Sequence, residues 1–274
     1  MMPHWMPGMV WPASGACYAL AAAGHLLWAR GILKNTRIGK TFVLLAGLLH
    51  AAELVRLAMA SGMFPLYNFR NALVFFSLCI VLLYGALLIR YRFEILSFFT
   101  VVLVLFFILP TWLLPSPAPV ADRPALHDWV TSMHIGLSVF SYAAFCLAAL
   151  TACGYTVEHR RLKEKGRQAV LLRLPPLEML EAIQPTLIIV GLASLGLGIL
   201  SGFCWAYREG WSVLAEPKIL MTVFVFVMYG LLILARRRLS VSSRLFSALV
   251  VAGFLICLVS FFVLNAVSGG RHQF

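Results

Sequence analysis

The sequence predicts an all-α, polytopic integral membrane bundle of about eight transmembrane helices with both termini outside. Three observations carry this. The 274-residue chain is 62% hydrophobic and only 12% charged, where soluble domains run at roughly half and about a quarter. Its mean hydropathy is +0.92. The apolar residues fall in repeated blocks of roughly 20, the length that crosses about 30 Å of hydrocarbon at about 1.5 Å per residue. One such block fits inside a soluble core of this size; eight do not. Lys and Arg, finally, collect in alternate connections between the blocks. Lipid offers the backbone no hydrogen bonds, so the spans are helices. The period-two alternation of a barrel is absent.

In order, the spans are expected near 13–29, 41–60, 72–89, 95–114, 132–155, 185–206, 217–235 and 245–267, all in one domain over residues 1–274. The connection after the first span holds Arg30, Lys34, Arg37 and Lys40, and the one after the third holds Arg90 and Arg92. The connection after the fifth holds Arg160, Arg161, Lys163, Lys165, Arg167 and Arg173; the one after the seventh holds Arg236, Arg237, Arg238 and Arg244. The positive-inside rule places these four connections in the cytoplasm. Segments 1–12, 61–71, 115–131, 207–216 and 268–274 then face outward. The stretch Met1–Met9 has no Lys or Arg to make a basic leading region, and the first apolar block continues past Ala23 without a clear cleavage site, so no cleavable signal peptide is expected. In the longest inner connection, 156–184, Leu174-Pro175-Pro176-Leu177-Glu178 suggests a short interfacial helix starting near the prolines. In the longest outer one, Ala125–Trp129 is suited to start a helix leading into the fifth span.

A net charge of +12 on a soluble domain would suggest nucleic acid. Here the charge lies in connections between spans, so the bilayer is the partner and no nucleic acid is expected. There is no phosphate-binding loop and no GxGxxG, which argues against ATP-driven chemistry. The six cysteines (Cys17, Cys79, Cys146, Cys153, Cys204, Cys257) form no CxxC and no haem-attachment CxxCH. They read as small buried hydrophobes.

Ionisable residues inside a span are costly, so the few present are informative. The second span carries His50, Glu53 and Arg56 at i, i+3 and i+6, which drift by only about 60° per step and share one broad helix face. His50 lies ten residues past Lys40, roughly 15 Å deep. Two readings fit: a structural cluster with Glu53 neutralising Arg56, or a ligand or substrate role for His50. His25, in the first span, reads as a packing histidine. His134 opens the fifth span, and Ser138 and Tyr142 continue a polar stripe from it; His127 joins that face if the helix extends outward. His272 lies in the outer tail, while His159 and His4 read as solvated.

Neutral imidazole binds iron well, and two on opposite faces make a stable low-spin haem site. His134 and His272 are the best-placed outer pair for one. Trp205, Tyr207 and Trp211 fall on the same side, where they serve equally as an interfacial aromatic belt.

The stretch His134-Ile-Gly-Leu-Ser-Val-Phe-Ser-Tyr142 resembles the histidine-bearing helix start of the cytochrome c assembly membrane family, of the CcsA and HemX type. The resemblance continues through Arg161-Leu-Lys163, Leu174-Pro-Pro-Leu-Glu178, Leu200-Ser-Gly202, Glu216-Pro-Lys218, Tyr229 and Gly253-Phe254. Upstream, Ser61-Gly-Met63-Phe-Pro-Leu-Tyr-Asn68 is similar to that family's SGxFPLSN segment. Length and the LPPLE connection look most like the short, YpjD-like branch of the bacterial inner membrane.

The resemblance implies haem handling for cytochrome c. It implies a non-covalent b-type haem held by His134 and His272 beside a tryptophan loop, with apocytochrome c and a membrane partner bearing an outer domain as associates. His50 matches a histidine in the second span of the short branch. Trp205 and Trp211 would wall the site. The chain departs from the family in three places. The tryptophan-rich motif is reduced to Gly210-Trp211-Ser-Val-Leu-Ala-Glu216, with Glu for Asp. Met63 stands near where a first transmembrane histidine is expected, and Leu234 near a later one.

Three functions remain in view: a haem-binding assistant of cytochrome c assembly, a non-haem regulator or scaffold of a haem-pathway or other membrane protein, and a small ion or solute transporter using His50, Glu53 and Arg56. Thioether formation uses apocytochrome thiols and haem vinyls, so this chain alone is expected to position reactants rather than act as an enzyme.

Overall fold

The computed structural model describes residues 10–62, 64–66, 68–91, 95–113, 128–164, 175–208, 210 and 217–267. Among these residues there are eight helices and no strand: α1 (Val10–Ala29), α2 (Arg37–Ser61), α3 (Phe69–Arg90), α4 (Ile95–Leu113), α5 (Trp129–Lys163), α6 (Leu177–Arg208), α7 (Pro217–Arg238) and α8 (Ser243–Val267). Six of them, α2 to α7, contain segments long and apolar enough to cross a bilayer. The all-helical, multi-pass membrane architecture expected from hydropathy is therefore the observed one.

Helix ends are where local chemistry decides. Asn68 caps α3: its Oδ1 accepts the Asn71 amide at 2.8 Å. That cap starts the helix at Phe69, earlier than the apolar run suggests, and brings Arg70 and Asn71 into it. At the end of α2, Gly62 takes φ +67° and donates its amide to the Ala58 carbonyl at 2.9 Å. α5 runs two turns past its apolar stretch to Lys163, carrying His159, Arg160 and Arg161 with it. α6 begins at Leu177, directly after Pro176, and continues through Pro185. The expected interfacial helix is thus the first two turns of α6 rather than a separate element. Pro185 has no amide proton for the Glu181 carbonyl, but one missing bond does not end a helix this well packed.

The chain forms two compact units. The first holds α1 to α4, and the second holds α5 as far as Arg160 with α6 to α8. In the first, α1 packs on α2 and α4, and α3 packs on α2 and α4, which closes a four-helix ring. Glycines set the tightest approaches. A Cβ on Gly24 would stand 3.2 Å from the Gly39 amide nitrogen, so α1 and α2 meet backbone to backbone. The Trp112 indole of α4 lies on Gly15 of α1. Tyr84 of α3 hydrogen-bonds Ser97 of α4 in the buried interior.

In the second unit the core is a sandwich with one residue from each helix. Phe145 of α5 and Tyr229 of α7 stack at 4.2 Å and 16°. Gly191 of α6 covers the outside of Phe145, where a Cβ would stand 2.5 Å from the ring, and Gly253 of α8 covers Tyr229, where a Cβ would stand 3.1 Å from Cζ. The Tyr229 hydroxyl donates to the Val250 carbonyl at 3.3 Å. One end of this unit is tied by Arg236 of α7. It reaches Glu181 of α6 at 3.4 Å and Ser243 of α8 at 2.9 Å, bonds the Val241 carbonyl of the turn, and lies over the Phe246 ring.

Candidate functional site

The intramembrane polar cluster of the first unit is built around His50. Its Nε2 lies 2.9 Å from the Val74 carbonyl of α3, and a carbonyl can only accept, so Nε2 carries the proton. Nδ1 is then the acceptor, and the Tyr18 hydroxyl of α1 donates to it at 3.3 Å. Trp11 and Tyr18 present their rings edge-on at 5.2 and 6.1 Å. Both nitrogens of His50 are thus engaged by protein groups on two neighbouring helices. Glu53 and Arg56 pair along α2 through two hydrogen bonds of 2.9 and 2.8 Å, with Glu53 buried and Arg56 about one-third exposed, at 35%. Nearby, Arg70 donates Nε–H to the Thr111 carbonyl at 2.8 Å and lies over the Trp11 ring. That places a cation on the carbonyl end of α4, where the helix dipole favours it. His25 is buried in α1 against Gly39, where a Cβ would stand 2.8 Å from its ring.

His134, in the second unit, is held differently. Its Nδ1 lies 2.7 Å from the Gly198 carbonyl of α6, so Nδ1 is the protonated nitrogen and the lone pair of the neutral ring is at Nε2. Iron-binding histidines commonly have this arrangement, with one nitrogen donating to a carbonyl while the other presents its lone pair. Ser201 shares the same carbonyl at 2.9 Å. The ring lies on Gly202, where a Cβ would stand 2.7 Å from Nδ1 and Cε1. Ser138 turns back to bond the His134 carbonyl at 2.7 Å. Tyr142 hydrogen-bonds Thr222 of α7. The polar stripe on α5 therefore faces two different helices.

His134 belongs to an antiparallel seam between α5 and α6. Phe145 meets Gly191, Ser138 meets Gly198, His134 meets Gly202, and Asp128 meets Arg208 at 3.8 Å. The steps between these pairs are seven, four and six residues on each helix alike. Trp205 follows Gly202 by three residues on α6 and is half-buried. Of these glycines only Gly202 stands out in the sequence, through the family resemblance; Gly191 and Gly198 do not. The spacing of all three, seven and then four residues along one span, is the signal that reveals them.

His272 and Trp211 lie outside the described residues, as do Met63, His127 and His4. α8 starts at the Arg236 end of its unit, through Ser243, and runs away from it toward the end that carries His134.

The fold and these contacts define a class: a polytopic helical membrane protein with one imidazole held on a carbonyl at a helix seam and a second one joining two helices in its other unit. Residues 66–272 match the cytochrome c assembly protein family, and the chain belongs to that family. It is similar to protein HemX of Brevibacillus brevis, with 27% identity over 88% of this chain and 91% of that one. It is also similar to protein HemX of Bacillus subtilis, at 26% over 85% and 87%. The cytochrome c biogenesis protein CcsA of Parasynechococcus marenigrum is 26% identical over 93% of this chain and 92% of its own.

Proposed function

We propose that the protein binds haem non-covalently at the outer end of its second unit and hands it on in cytochrome c biogenesis, with His134 and His272 as the two iron ligands. The reading rests on one observation: the Gly198 carbonyl holds His134 through Nδ1–H, the tautomer in which Nε2 is the nitrogen that can ligate a metal. Three further points support it. Gly202 leaves room for the imidazole. Trp205 stands three residues further along the same helix. His272 is five residues past the end of α8, a reach of about 17 Å. Bound there, haem would supply a redox-active iron and two vinyl groups that accept thiols. The chain's own part is to hold, orient and expose. Apocytochrome c and a partner with an outer domain are the proposed associates, residues 1–274 the proposed functional domain, and a bacterial inner membrane the proposed location.

The test is the visible spectrum of the purified protein with quantified haem. A Soret band lost in the His134→Ala, His272→Ala double variant supports the reading, and an undiminished band overturns it. The reduced tryptophan segment around Trp211 favours one second reading, a non-haem regulator of another membrane protein. A colourless wild type that co-purifies with a partner would mark that one instead.

A further inference from the structure

We propose that Arg208 is the anchor for the carboxylates of the porphyrin at this site, and that Asp128 holds it in place until they arrive. The inference rests on the haem reading above and adds the group that recognises the ligand's anionic edge. Along the α5–α6 seam, Asp128 and Arg208 lie six residues outward of His134 and Gly202 on both helices, roughly 9 Å by helix rise. Haem carries its two carboxylates on one edge, at a comparable distance from the iron. A cation at this height above an iron-binding imidazole would orient the porphyrin with that edge toward water.

The existing pairing of Arg208 fits a place-holder. The ion pair is long, at 3.8 Å, and its partners are 60% and 29% exposed. Such a pair is worth little in water and is readily exchanged. Asp128 is kept in position independently, since its carboxylate accepts the Thr131 hydroxyl at 3.4 Å and its carbonyl accepts the Ser132 amide at 3.1 Å. Arg208, in the last turn of α6, offers a planar fork that matches a carboxylate.

The experiment uses the full chain in phosphatidylcholine nanodiscs, titrated with ferric protoporphyrin IX and separately with its dimethyl ester. Arg208→Gln should weaken binding of the dicarboxylate about 10-fold and leave the ester unchanged. Arg208→Lys should fall between, and Asp128→Asn should tighten the dicarboxylate by about 3-fold, because the competing anion is gone. Equal weakening of both porphyrins by Arg208→Gln, or weakening of neither, overturns the assignment. So does an effect of Arg208→Gln confined to the phosphatidylglycerol retained on purification, which would make the anion a lipid phosphate. His134→Ala separates the two levels. If it leaves both titrations unchanged, the site itself is elsewhere. If it weakens both while Arg208→Gln weakens neither, the site stands and only the anchor fails.

Discussion

Two histidines of the same type are held in different ways because their hydrogen-bond partners differ. His50 donates to Val74 and accepts from Tyr18, so an incoming metal must first break a contact that joins two helices. His134 donates from its other ring nitrogen, Nδ1, to the Gly198 carbonyl. His50→Ala should therefore cost about 2–4 kcal/mol of stability, the price of a cavity plus two lost buried bonds. Thermal unfolding in detergent checks this, and haem content per folded protein should not change. A Soret band that vanishes with His50→Ala while the melting temperature holds would assign His50 to haem instead. Gly202→Ala is the complementary test. A methyl group would stand 2.7 Å from the imidazole, so the ring must leave the Gly198 carbonyl. The expected result is a shifted Soret maximum or lost haem with near-normal melting. An unchanged spectrum would mean that the ring position is not set by Gly202. At this scale the sequence shows which histidines exist and roughly how deep they lie. It does not show their tautomers, because those depend on carbonyls such as Val74 and Gly198 that every residue type carries.

At the scale of helices, what was legible follows the physics of each signal. Helix existence follows hydrophobic length: α1 to α8 each fall on an apolar block, and six of them, α2 to α7, are long and apolar enough to cross a bilayer. Ends depend on single contacts. The Asn68 cap advances the start of α3, and α6 takes in Leu177 to Gln184 because packing outweighs the one bond lost at Pro185. Which faces meet is set by the smallest residues, which hydropathy ignores. Gly191, Gly198 and Gly202 let α5 approach closely enough for Phe145 and His134 to lie on α6 backbone. Gly191→Val should thus overpack the Phe145–Tyr229 stack and lower stability by about 1–3 kcal/mol. Gly230, with open space around its Cβ, should take Ala without loss. Comparing the two melting temperatures checks the seam. Equal effects would mean that the stack is not the tight point of the unit.

At the scale of the whole molecule the remaining question is which end of the second unit faces out. Tyr155, Glu181, Arg236 and Ser243 form a polar knot at one end, with a residue from each of its four helices. Arg237, Arg238 and Arg244 cluster beside it in sequence, and the end of α5 within this unit adds Arg160. Moving that many cations across a bilayer during insertion is disfavoured, so this end should stay in the cytoplasm. α8 leaves the knot and runs 25 residues, about 37 Å, which is enough to carry the tail to the far side, where His134 lies. Alkaline phosphatase fused after Phe274 should therefore be active, and the same reporter inserted between Lys165 and Arg173 should be silent. A green fluorescent protein fusion should give the opposite pattern. Replacing Arg237, Arg238 and Arg244 with Gln should weaken the preference, because it removes charge without touching the Arg236 ties. Should the tail reporter be silent and the loop reporter active, His134 would open to the cytoplasm. Delivery of haem to an outer acceptor from this end would then be impossible, whatever the spectrum showed.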